Sequence, residues 1–341
     1  MHYSAAVVAR GLPPAVASGT LPDLMLYDIV ALVAGLALVA KGGDLFVDAS
    51  ITIAKVLRVP RIVVGGTLVS LATTTPELVV SVTASVMGDS GIAVGNAVGS
   101  CIANIGLIIG AVALIAPVTV DLADFRRSAR WMAVPGLFVM AFSSDRAIGQ
   151  SAGAFLLLFT AVYLYGDYRS IRARQADAID RGEPAGEGLG PAAGWFLAGA
   201  LLVIVGSRLL VTSGIEIASA LGVPSVIIGL SIVAIGTSLP ELVTGISAAR
   251  RGAADLSIGN IVGANLLNLG LIIGMSSAIR PLDLSAFTQW YSYPWLAVFF
   301  AAMILMLGRR GTLTRPGGTL LLGLYAVYMA GLVLAPAYLG N

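Results

Sequence analysis

Two short stretches put a carboxylate where an apolar chain has least use for one. "ATTTPEL" (72–78) and "GTSLPEL" (236–242) each set a glutamate directly after a proline inside a long apolar run. A charge at membrane depth costs about 2.5 kcal/mol or more, so Glu77 and Glu241 need a compensating role. Pro76 and Pro240 have no N–H, which leaves the carbonyls of Ala72 and Gly236 without helical partners. Helical spacing sets Thr73 and Thr74 on the face of Glu77, and Thr237 and Ser238 on that of Glu241. On the next apolar segment Asn96, Ser100 and Asn104 share a face at steps of four, as do Asn260, Ala264 and Asn268. All these donors are oxygens, the set that suits hard cations such as calcium. Two glutamates balance one calcium or two monovalent ions, so either load neutralises the same pair.

The elements that position these residues follow from composition. The chain is 57% hydrophobic and 11% charged, and its apolar blocks are near the length that spans a bilayer. It is expected to be an all-α polytopic membrane protein with ten transmembrane helices, near 26–55, 61–87, 91–117, 129–145, 149–166, 193–220, 224–249, 255–279, 288–308 and 317–338. Residues 1–25 read as a disordered leader, 26–166 as a first five-span unit, 167–192 as a charged cytoplasmic linker and 193–341 as a second five-span unit. The third span is expected to be interrupted at Gly95, Gly99 and Gly106, and the eighth at Gly259, Gly263 and Gly270. Cys101 is the single cysteine, which excludes an internal disulfide and cysteine-cluster metal sites; it reads as a small packing residue. The single histidine is His2, in the tail, so hydroxyl or thiol nucleophiles lack their usual base. Basic residues are scattered between spans and form no nucleic-acid patch. Lys41, Asp44 and Asp48 on the first span and Arg208 and Glu216 on the sixth suit a gate, an interface or plain structure, with Lys41 and Asp44 able to pair.

Sliding the sequence on itself at an offset of 164 superposes Pro60 on Pro224, Thr73 on Thr237, Glu77 on Glu241, Pro117 on Pro281 and Trp131 on Trp295, with no gap needed. An odd number of spans per half makes the second half enter the membrane from the opposite side, an inverted repeat. Charge placement tests this independently: with both termini outside, the inner loops carry fifteen Lys and Arg and the outer side three.

The doubled motif, with "GNAVGSCIANIG" (95–106) and "GNIVGANLLNLG" (259–270), resembles the paired repeats of the calcium/cation antiporter superfamily, the sodium/calcium exchangers and their prokaryotic relatives. The resemblance implies an antiporter of a prokaryotic plasma membrane that exports calcium against sodium by alternating access, with no cofactor. It places four central positions at Glu77, Glu241, Asn104 and Asn268. Ion contacts are implied for Thr73, Thr74, Thr237, Ser238 and Ser100 and for the carbonyls of Ser70 and Ala234. The second, third, seventh and eighth spans form the binding core, across which the first and sixth slide. Ala72, Thr75 and Cys101 depart from the family's usual Gly, Leu and Asn; Ala264 lacks an expected hydroxyl, and Asn268 stands where several members carry aspartate. The counter-ion therefore stays open between sodium and protons, as does another divalent substrate. An intramembrane hydrolase using the carboxylates as acid and base, and a passive channel, are the readings from other classes.

Overall fold

A computed structural model describes residues 21–180, 188–221 and 236–339. The sequence's expectations for 1–20, for Pro224 and for Ala234 lie outside the described residues. Helix α1 spans Leu21–Leu57, starting five residues before the expected position with Pro22 in its first turn, where a missing N–H costs nothing. Pro60 then opens α2 (Arg61–Val64), which passes through a π turn, Gly65–Val69, into α3 (Ser70–Thr73). The chain bends by 48° at Thr74, and α4 (Thr75–Met87) restarts with Pro76 in its first turn, where a missing N–H costs nothing. Gly88, at φ 86, closes α4 in the left-handed region.

Asp89 caps α5 (Ser90–Ala103) by accepting from the Ile92 N–H at 2.9 Å. The rod continues through a π turn, Asn104–Ile109, into α6 (Gly110–Ile115). The expected breaks at Gly95, Gly99, Gly259 and Gly263 do not occur; the helices run through all four, because an isolated glycine weakens a helix by about 1 kcal/mol without ending it and tertiary packing supplies most helical stability. α7 (Leu122–Phe142) begins seven residues earlier than expected, since Asp121 caps it by accepting from the N–H groups of Ala123 and Asp124. α8 (Gln150–Asp180) runs well into the stretch read as linker, carried by the helix formers of "SIRARQADAID", and α9 (Leu189–Ala220) follows.

In the second half α10 covers Leu239–Arg250, with Pro240 again in the first turn. The next rod is α11 (Ala254–Leu267), a π turn at Asn268–Ile272 and α12 (Ile273–Ile279). A π turn at Thr288–Ser292 leads into α13 (Tyr293–Arg310), and α14 is Arg315–Leu339. A helix thus occupies each of the ten expected stretches, the seventh only in its described part. Among the described residues five helices are long and apolar enough to cross a membrane, six when Arg61–Thr73 and Thr75–Met87 count as one bent span.

The core is the pair of rods Ser90–Ile115 and Ala254–Ile279. Of the most apolar window, 94% is buried in Ala254–Ile279 against 28% in α1, so the former faces protein and the latter lipid. Close approach explains the glycines of the eighth span: a Cβ at Gly259 would strike the Ile62 carbonyl, and one at Gly263 the Gly66 carbonyl and the Ser70 hydroxyl. α1 and α9 lie against each other through glycine as well. A Cβ at Gly35 would sit 2.9 Å from the Gly206 carbonyl and one at Gly42 3.1 Å from that of Gly199. Rising numbers on α1 meet falling numbers on α9, so the two helices run antiparallel.

Two short ribbons close the core. Val118–Thr119 pairs with Thr312–Leu313, and Ala147–Ile148 with Leu282–Asp283, both antiparallel. The Val120 N–H donates to Gly311 and that of Leu284 to Arg146, each at 2.8 Å, while Arg146 and Gly311 share the left-handed region at φ 65 and 67. Val120 and Leu284 are 164 apart, but Arg146 and Gly311 are 165 apart. The gap-free repeat therefore ends after Trp131 and Trp295, and the second half carries one extra residue before its ribbon. Asp44 does not form the expected pair with Lys41. Arg251, at the end of α10, holds Asp44 at 2.7 Å and also Asp48, tying α1 to the core on the side of the 250–255 turn.

Candidate functional site: a buried pair of carboxylates

Glu77 and Glu241 stand in the first turns of α4 and α10, each 1% exposed. Pro76 and Pro240 make both helices start there, so each glutamate sits just past a break at a helix N-terminus, the end that favours negative charge. Neither carboxylate forms an ion pair among the described residues. Thr74 Oγ1 donates across the repeat to Glu241 Oε1 at 3.4 Å, and Thr73 Oγ1 donates to Asn260 Oδ1 at 3.1 Å. The hydroxyls expected beside Glu77 thus reach the opposite half.

Asn96 and Asn260 act as braces. Asn96 Nδ2 donates to the Glu77 carbonyl and to Ser81 Oγ at 3.2 and 2.9 Å, and Asn260 Nδ2 donates to Thr244 Oγ1 at 3.3 Å. Thr244 in turn donates to the carbonyls of Pro240 and Glu241. Ser81 and Thr244 were absent from the residues singled out by sequence; a hydroxyl one turn beyond each glutamate on a helix of small residues was the available signal. Asn104 and Asn268 each open a π turn, a distortion common at functional sites.

The oxygens left over define what the site can do. Glu77 Oε2, Glu241 Oε2, Asn104 Oδ1, Asn268 Oδ1 and Ser238 Oγ are all buried and without a hydrogen-bond partner among the described residues. A buried polar atom without a partner costs about 1–3 kcal/mol, more when charged, and here five fall on the doubled motif. Two anionic and three neutral oxygens, with no sulfur or imidazole, suit a hard cation. Ser70 is fully buried, and its carbonyl accepts from the Thr74 N–H at 2.9 Å, leaving one lone pair. Ser100 and Thr237 border a cavity of about 450 Å³ that also touches Asn96, Gly99, Ser292 and Tyr325. Among the described residues nothing lies within 4 Å of a Cβ built at Gly95 or Gly99, and their repeat counterparts' partners fall in 61–70 of the other half. Ala264, fully buried, supplies only a methyl group where Ser100 supplies a hydroxyl in the first half.

The same helical fold recurs among known proteins. The family model described as sodium/calcium exchanger protein matches residues 27–168 and 191–334. The chain belongs to the sodium/calcium exchanger family. Inner membrane protein YrbG of Escherichia coli is 33% identical over 90% of this chain and 97% of its own length. Sodium/calcium exchanger MaX1 of Methanosarcina acetivorans is 30% identical over 90% and 98%. A solved structure of the sodium-calcium exchanger NCX_Mj, soaked with sodium and strontium, superposes with a TM-score of 0.76 at 29% identity over 90% of this chain and 99% of that one. Membership makes this an integral membrane antiporter of cations and not an enzyme; the ions are cargo, and no cofactor takes part.

Proposed function

We propose that the protein is a sodium/calcium antiporter that exports calcium by alternating access, with Glu77 and Glu241 sharing one cation site at mid-membrane. The observation that carries this reading is the set of five buried oxygens on the doubled motif, drawn from both halves of the repeat, that have no hydrogen-bond partner among the described residues. A divalent ion between two carboxylates cancels their mutual repulsion and occupies the free oxygens of Asn104, Asn268 and Ser238. When it leaves, two sodium ions restore the same balance. Thr73, Thr74, Thr237 and Ser100, with the Ser70 carbonyl, complete the oxygen shell; Ala234, the counterpart of Ser70, is assigned the same part by the repeat.

Ten spans in two inverted five-helix units, with both termini outside and a prokaryotic plasma membrane around them, complete the reading. It is supported by the antiparallel contact of α1 and α9, where Gly35 meets Gly206 and Gly42 meets Gly199, and by the matched ribbons at 118–119 and 282–283. Each contact joins a position to its partner's repeat equivalent, as a two-fold axis in the membrane plane requires. The printed names of MaX1 and NCX_Mj favour sodium and calcium as the ions.

One observation favours a second reading on the same scaffold. Ala264 removes a hydroxyl from the second half, which lowers the oxygens available to sodium and suits protons as counter-ion, or another divalent cargo. Calcium-45 uptake into proteoliposomes decides between them: sodium inside, against choline at several pH values, is expected to drive uptake. Uptake that follows an imposed proton gradient and ignores sodium would select the second reading.

A further inference from the structure

Asn104 can serve a cation only through its amide oxygen; turned over, it would present an NH2 group, the wrong end of the dipole. Its orientation is set by two residues behind it that touch no part of the carboxylate pair. Asn104 Nδ2 donates to Asn265 Oδ1 at 3.0 Å, and Asn265 Nδ2 points at Met132 Sδ, 3.8 Å away. Met132, Asn265 and Asn104 are at most 1% exposed, so water offers no alternative partner. A thioether sulfur carries lone pairs and no proton, so only the NH2 end of Asn265 gains anything by facing it. That choice sends the Asn265 oxygen toward Asn104, which sends the Asn104 NH2 toward Asn265. The Asn104 oxygen is left over, and it is one of the five orphans.

We infer that Met132 and Asn265 are positioning residues that fix the Asn104 amide with its oxygen toward the transported cation, and that this relay exists in one half of the repeat only. At the offset of 164, Leu296 stands for Met132 and Cys101 for Asn265. Leucine accepts nothing, and the Cys101 thiol gives its proton to the Asn265 main-chain carbonyl at 3.7 Å while its sulfur meets Asn268. Asn268 therefore rests on a weak sulfur acceptor and Asn104 on an amide. The two ends of the cation site differ in stiffness although their ligand types match. Asn104 is the oriented ligand, and Asn268 the one able to adapt when a divalent ion is replaced by monovalent ones.

This inference rests on the transport reading, and the test separates the two. Met132→Leu keeps the volume and removes the acceptor, a change cores tolerate well. It is expected to raise the calcium KM of gradient-driven uptake by about threefold to tenfold, the effect of one net hydrogen bond, with Vmax and thermal midpoint unchanged. Asn265→Leu should raise KM at least as far. In an Asn104→Asp background either end of the side chain is an oxygen, so adding Met132→Leu should leave KM where Asn104→Asp alone puts it. Calorimetric calcium binding to the purified proteins should follow the same pattern. An unchanged KM in Met132→Leu, or an equal shift in both backgrounds, overturns the relay while leaving the transporter intact. A wild-type protein that neither binds nor moves calcium overturns the transport reading, and the relay with it.

Discussion

At the scale of single residues the site separates charge from orientation. In the proposed site Glu77 and Glu241 supply the charge opposite the cation, and unbalanced charge in a low-dielectric site reaches several kcal/mol even at an effective dielectric of ~20. Glu77→Gln and Glu241→Gln are each expected to abolish calcium uptake into proteoliposomes at matched protein level. Asn104→Ala and Asn268→Ala should leave reduced but measurable flux, because a neutral oxygen is lost and the charge balance stands. Near-normal uptake by either glutamine variant would remove that glutamate from the site. Ala264→Ser returns a hydroxyl opposite Ser100 and should shift the sodium dependence of exchange more than the calcium KM; a sodium curve identical to wild type would take position 264 out of the ion's shell. The candidate oxygens of the proposed site were legible in sequence because proline, glutamate and hydroxyl recur at fixed spacing. The partners of the hydroxyls were not: Thr74 to Glu241 and Thr73 to Asn260 join residues 167 and 187 positions apart, and helical spacing reports only on neighbours along one helix. Asn265 was hidden for the same reason, though a second amide inside "GANLLNLG", beside Asn268, had to find partners once buried.

At the scale of elements, the glycines of the eighth span set how closely two rods can lie. Gly259 and Gly263 let the Ala254–Ile279 rod lie against the main chain of Ile62 and Gly66, where a methyl group has backbone to displace. Gly259→Ala should therefore lower stability by about 1–3 kcal/mol, read as a fall in thermal midpoint in detergent. Gly95→Ala, with nothing described within 4 Å of its Cβ, should leave the midpoint unchanged or raise it. Equal losses in the two variants would mean that the glycines serve one common packing role. Helix positions were legible from the apolar runs, whereas the π turns at Asn104 and Asn268 were not. An extra residue in a helical turn leaves no mark on composition and is held in place by tertiary packing.

At the scale of the whole molecule, the repeat was legible as far as Trp131 and Trp295, and the extra residue beyond it became visible only through the matched ribbons. The inverted halves we propose carry a topological consequence: a reporter fused within residues 168–190 should be cytoplasmic, and one fused after Asn341 should be outside. Both reporters on one side would make the halves parallel, and the shared site would lose its symmetry. The bond from Thr74 to Glu241 also has a bearing on biosynthesis. Its two ends are 167 residues apart, and at about 5–20 residues per second the ribosome needs roughly ten to thirty seconds to deliver the second after the first. For that interval Glu77 and the broken helix around it enter the bilayer without the half that completes them. The nascent first half must wait in the insertion machinery or shelter its carboxylate as a neutral acid, so a chain stalled before residue 241 should be a preferred target for membrane proteolysis.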